Sequence, residues 1–190
     1  MITDGNIVDS NGRKTVRLSI SKSDEYILEE FKTIIKSNNK ITHDNRGNGM
    51  SSFAIESEII VSDLERYGVV PRKTFKCFLP KIKKEFMPHL IRGCIDGDGW
   101  ITRYIQHREK RNDRECISIG FCGVGILVEQ LKEFLVKELD VYNVKIHKSK
   151  DGVLQCIWAS RKDVQKIANY IYKDANYYLT RKYEKIKDLL

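Results

Sequence analysis

Apolar and polar positions along this chain follow two alternating periods, and the order of those periods repeats. Val16-Arg17-Leu18-Ser19-Ile20-Ser21 alternates residue by residue, as does Cys116-Ile117-Ser118-Ile119-Gly120-Phe121, which predicts two half-buried strands. A helical spacing follows each. In the first case Tyr26, Leu28, Phe31 and Ile35 share a face, with Ser23-Asp24 placed as the cap; in the second, Leu127, Leu131, Phe134 and Leu135 lie on one side of a helix over 126–139. A second strand pair comes next. It includes residues 52–56 after the Asn/Gly-rich loop 44–49 in the first half, and 143–147 and 153–159 around the Asp151-Gly152 turn in the second. Each half then starts a helix after a serine, Ser57 or Ser160, and reaches an Arg-Lys element, Arg72-Lys73 or Arg181-Lys182.

Ahead of the second series stands Pro88-His89-Leu90-Ile91-Arg92-Gly93-Cys94-Ile95-Asp96-Gly97-Asp98-Gly99. Pro88 suits the first turn of a helix, where a missing N–H costs nothing. Gly93 and Gly97 share one helical face and leave it flat enough for a second backbone to approach. Gly99 is expected to supply a left-handed helix stop. Asp96 and Asp98 fall at the negative end of the helix dipole, an unfavourable place for carboxylates that a divalent cation would reverse. The same residues also suit an unliganded surface turn. At the start of the chain, Asp4-Gly5-Asn6-Ile7 matches Asp98-Gly99-Trp100-Ile101, which extends the repeat to both halves.

Residues 91–99 resemble the signature of the LAGLIDADG homing endonucleases, and the preceding "FLP…MPHLIRG" resembles the way the second motif of two-motif members is introduced. The resemblance covers nearly the whole chain and implies an α+β fold of two pseudo-symmetric αββαββα subdomains with antiparallel, saddle-shaped sheets. The halves are then 1–80 and 86–190, joined through the linker 78–81, with the insertions concentrated in 103–115. The first motif survives only as residues 1–5, so its helix is expected to be missing, through truncation or decay. A homodimer through the 89–99 helices is the alternative to a monomer.

Composition narrows the partners. Thirty-four Lys and Arg against 26 Asp and Glu give a formal charge of +8, which favours a polyanion. No apolar run reaches the ~20 residues of a membrane span. The five cysteines, Cys77, Cys94, Cys116, Cys122 and Cys156, form no CxxC pair and are read as reduced thiols in a cytoplasmic protein. The four histidines have no zinc-ligand spacing, and nothing after Asp98 completes an EF-hand loop.

By resemblance, Asp4 and Asp98 bind the catalytic metal, Mg2+ or Mn2+, one from each half, and Lys73 and Lys182 assist catalysis. A hard cation held by few carboxylates suits phosphoryl oxygens, and an ammonium suits a phosphate. The sheets are expected to lie in the major groove of double-stranded DNA, where a two-stranded ribbon fits. Arg13, Lys14, Arg17 and Lys22 form the basic set of the first half. Arg103, Gln106, Arg108, Lys110, Arg111 and Arg114, with Asn112, form that of the second. The implied activity is site-specific hydrolysis of DNA phosphodiester bonds, of the kind associated with introns or inteins. No terminal splicing elements mark the chain as a complete intein. The alternative is a catalytically inactive nucleic-acid-binding protein of the same fold, maturase-like or regulatory.

Overall fold

The computed structural model describes every residue except Met1, Thr74, Phe75, Lys110, Arg111 and Gly125. The chain forms two compact units, Met1–Lys81 and Ile82–Leu190.

In the first unit, strands β1 (Gly5–Ser10), β2 (Arg13–Ser21), β3 (Thr42–Asp44) and β4 (Met50–Glu56) make an antiparallel sheet in the order β1-β2-β4-β3. Asn11 and Gly12, both at positive φ, close the β1–β2 hairpin in two residues, the geometry that matches strand twist. Ile7 pairs with Val16 and Val16 with Ile55, while Leu18 pairs with Phe53, so these residues form the inner face of the sheet. Helices α1 (Tyr26–Ile34) and α2 (Glu58–Arg66) supply the covering layer. Val61 and Val69 pack with Ile7 and Val16, and Leu28 packs with Phe53 and Ile55. Ser57 caps α2 as expected, its hydroxyl accepting from the Ile60 amide at 3.3 Å. Ser23-Asp24 instead sits inside a 3-10 turn before α1 and supplies no side-chain cap.

The second unit repeats this order behind an additional helix. α3 (Met87–Asp98) leads into β5 (Gly99–Gln106), β6 (Arg114–Gly123), α4 (Ile126–Leu139), β7 (Val144–Lys148), β8 (Leu154–Trp158) and α5 (Arg161–Tyr172). Its sheet runs β5-β6-β8-β7, the same arrangement as the first. Ile101, Ile119, Phe121 and Trp158 from the sheet, Ile91, Cys94 and Ile95 from α3, and Leu131, Leu135 and Ile167 from α4 and α5 are essentially inaccessible to water. After α5 the chain forms a short α6 (Thr180–Tyr183) and a 3-10 turn, Lys187–Leu189. Burial of Ile186 and Leu189 ties this segment to the unit.

Candidate metal carboxylate and nucleic-acid interface

α3 buries one face and ends at Asp98, whose side chain is exposed. Gly99 does not provide the left-handed stop expected of it. It is extended, with φ −100° and ψ 179°. Glycine is needed there for space: a Cβ would lie 2.5 Å from the Ile95 carbonyl oxygen and 2.6 Å from that of Gly120. The tight joint carries the chain from helix straight into strand.

The end of α3 is held by polar side chains from the C-terminal segment. Lys182, only 4% exposed, donates from its ammonium to the carbonyls of Ile95 (2.7 Å), Asp96 (2.6 Å) and Gly99 (2.6 Å). Three donors thus meet three acceptors at the end where a helix leaves its carbonyls unmatched. Asp96 accepts from the Leu179 amide at 3.1 Å and the Tyr172 hydroxyl at 3.2 Å. Burial pushes its carboxyl above the ordinary range, against the opposing pull of the Leu179 amide, Lys182, Tyr172 and Arg92. Arg92 is buried and donates to the carbonyls of Ile171 and Tyr177, both at 2.8 Å, with His89 Nδ1 at 2.9 Å from the same guanidinium. Tyr172, Tyr178 and Tyr183 cluster beside it, with the last two stacked at 4.4 Å.

The first unit shows a simpler counterpart. Asp4 is exposed and directly precedes β1. Lys73, half-buried, donates to the carbonyl of Thr3 at 2.9 Å. In both units, then, the predicted lysine is bound to backbone oxygen beside the predicted aspartate.

Strand parity sorts the predicted DNA-contact residues. Arg13 and Arg17 lie on the outer face of the first sheet, opposite Val16, Leu18 and Ile20. Lys14 shares the inner parity of Val16 and reaches across to Glu65 of α2 at 2.6 Å. Lys22, exposed beyond the strand, donates to Asn45 at 3.3 Å. In the second sheet Gln106 and Arg114 face outward as a cross-strand pair. Arg103 has the parity of Ile101 and is engaged on the inner side. Its guanidinium contacts Glu115 and Asp188, each as close as 2.5 Å, and the Lys185 carbonyl at 3.3 Å. Arg108 lies in the loop after β5 and Asn112 in the stretch before β6, while Lys110 and Arg111 fall outside the described residues.

The same parity adds residues that the basic clusters did not suggest. Trp100, Thr102 and Tyr104 of β5, Lys145 and His147 of β7, and Gln155 of β8 all share the outer face. Trp100 lies over Gly120, where a Cβ would meet its indole ring at 2.3 Å. None of the described outward positions on the second sheet is Asp or Glu. The first sheet has Asp44, paired with Arg46 at 2.6 Å, and Glu56 on its outward side. The second face is therefore cationic, amide-bearing and aromatic, a combination suited to phosphates and base edges. Cys122, outward on β6, donates from its thiol to the Asp98 carbonyl at 3.1 Å and so joins this face to the end of α3.

This architecture, a ββαββα unit followed along the chain by a helix and a second ββαββα unit, is the LAGLIDADG homing endonuclease fold. The meganuclease I-SmaMI, solved bound to DNA, matches with a TM-score of 0.68 at 15% identity, covering 99% of this chain and 85% of that one. I-SmaMI bound to uncleaved DNA in the presence of calcium ions gives 0.70 at 16%, with 99% and 86% covered. The homing endonuclease I-GzeII in complex with its DNA target gives 0.65 at 12%, with 98% and 83% covered. The sequence matches no protein-family model, and no curated protein matches it.

Among the described residues, no three His, Cys, Asp or Glu side chains gather as a metal centre. The exposed Asp98 carboxylate is a hard oxygen donor suited to magnesium or manganese, with further ligands supplied by water and phosphate. No helix among the described residues is long and apolar enough to cross a membrane.

Proposed function

We propose that this chain is a divalent-metal-dependent, site-specific endonuclease of double-stranded DNA. The observation that carries the reading is the exposed Asp98 carboxylate at the end of α3, whose backbone contacts an outward sheet face without carboxylates. In this reading Asp98 and Asp4 are the metal ligands of the two halves. Arg17, Arg13, Gln106 and Arg114 hold and read the duplex, joined by Tyr104, Lys145 and Gln155. A bound divalent metal would neutralise phosphate charge and activate water for hydrolysis. The protein's own part is to hold the carboxylates at fixed helix and strand ends and to orient DNA along the sheets.

One observation favours a second reading, a nucleic-acid-binding protein of the same fold that does not cleave. The Lys182 ammonium is buried against three carbonyls rather than directed outward. One experiment separates the readings. Duplexes selected from a random library for binding are incubated with magnesium or manganese and either wild-type protein or Asp98→Asn. Double-strand cleavage by wild type alone supports the endonuclease. Equal inertness with tight binding by both proteins leaves the binding protein.

A further inference from the structure

We infer that Lys182 is a positioning residue whose ammonium fixes the backbone from which the Asp98 carboxylate projects, and that Lys73 does the same for Asp4. The inference deepens the endonuclease reading and rests on its assignment of Asp98 as a metal ligand. Geometry carries it. The carbonyls of Ile95, Asp96 and Gly99 converge on Lys182 Nζ within 2.7 Å, and those three residues bracket Asp98 in the sequence. Gly99 is at the same time squeezed between the backbones of α3 and β6. The peptide units around Asp98 are thus fixed from both sides, by an ammonium and by close backbone contact. In the other unit Lys73 takes the carbonyl of Thr3, the residue directly before Asp4, at 2.9 Å. In each half of the repeat, then, a lysine donates to backbone carbonyl oxygen beside the aspartate. A lysine whose donors are matched by carbonyls acts on a metal through the backbone, as outer-shell groups act through the ligands they orient.

The inference has a sign that a purely electrostatic role lacks. Removing a nearby cation should, by charge alone, strengthen the binding of a metal at Asp98. Removing a positioning residue should weaken it. Terbium(III) is titrated into the full 190-residue protein, with luminescence sensitised through Trp100, two residues from Asp98. Asp98→Asn must first abolish the signal; a signal that survives overturns both the metal assignment and the inference built on it. With an Asp98-dependent signal in hand, Lys182→Met is expected to weaken terbium binding on the order of tenfold or more, as outer-shell losses do, while DNA affinity without metal stays at the wild-type value. Affinity equal to or tighter than wild type overturns the positioning role and leaves the endonuclease reading intact.

In single-turnover cleavage the same variant should need more magnesium for half-maximal rate yet approach the wild-type rate at saturation. A rate that stays depressed at saturating metal marks a direct role on the phosphate and refutes the inference. Should Lys182→Met fail to fold, Lys182→Gln, which keeps two N–H donors without charge, takes its place and should fall between wild type and the full loss. Lys73→Met, which removes a single carbonyl contact, should show the same direction with a smaller shift.

Discussion

Gly99→Ala tests how the end of α3 is built, because two physical arguments give it opposite signs. At a backbone conformation that alanine adopts freely, replacing glycine restricts the unfolded chain and stabilises by about 0.4–1 kcal/mol. The extended φ and ψ of Gly99 meet that condition, so conformation alone favours the variant. Packing opposes it. The new Cβ would sit 2.5 Å from the Ile95 carbonyl oxygen, 2.6 Å from that of Gly120 and 2.7 Å from Ile95 Cα. All three atoms are backbone, in α3 and in the central strand β6, so no side-chain rotation can relieve them. The relief available is a separation of helix and strand by about 1 Å, since ordinary contacts lie near 3.5–4.0 Å. Overpacking of this kind costs typically about 1–3 kcal/mol, and a net loss of about 1–2 kcal/mol remains after the entropic gain. For a unit of this size that lowers the melting temperature by roughly 5–15 °C. Both tryptophans, Trp100 and Trp158, lie in the second unit, so urea denaturation followed by tryptophan fluorescence reports on it alone. A midpoint equal to or above wild type would refute the packing argument.

Three further outcomes follow from the geometry. Arg17→Ala should weaken DNA binding and reduce the magnitude of the slope of log K against log salt by about 1, whereas Lys14→Ala, on the inner parity with Glu65, should leave the slope unchanged; filter binding across a salt series checks both. Arg92→Met strips the buried carbonyl of Ile171 and the part-buried one of Tyr177 of their donor and should cost about 1–3 kcal/mol in the same fluorescence assay. Asp188, through hydrogen bonds from Arg103, and Glu115, through those from Arg103 and Arg161, are held below the usual carboxyl range. A depressed folded pKa contributes stability that is complete above the ordinary unfolded values near pH 4 and is lost as pH falls through the folded ones. Carboxyl NMR should show both groups titrating low in wild type and moving upward in Arg103→Gln, while Asp44, held down by Arg46, stays in place.

What the sequence shows clearly is what local pattern controls. The alternation in β2 and β6, the helical spacing of α4 and the order of elements in each half needed only nearest neighbours, and the structure follows them closely. Parity held more information than the basic clusters themselves. Lys14 falls in step with Val16, Leu18 and Ile20, and Arg103 with Ile101, so their inward direction was already written in the alternation. Asn11-Gly12 likewise marks a two-residue hairpin. Tertiary partners were out of reach. Nothing local to Lys182 shows that the carbonyls of Ile95, Asp96 and Gly99 would surround it, nor does the sequence near Arg103 point to Asp188. Gly99 was misread for a related reason. A glycine after a helix usually signals positive φ, and only the approach of β6 shows that space is the requirement here.

The paired acids of the motif separate by their surroundings. Asp96 faces the protein, where burial raises its proton affinity and the Leu179 amide and Tyr172 hydroxyl occupy its two oxygens. It is spent on holding α3 to the segment that follows α5. Asp98, two residues on, points to solvent from the last position of the helix. A carboxylate there would ordinarily be opposed by the negative end of the helix dipole. The Lys182 ammonium is set among carbonyls at that end and counters its negative charge. The fold therefore uses one acid of the pair for structure and leaves the other exposed, while Lys182 holds the backbone beside it from inside the protein.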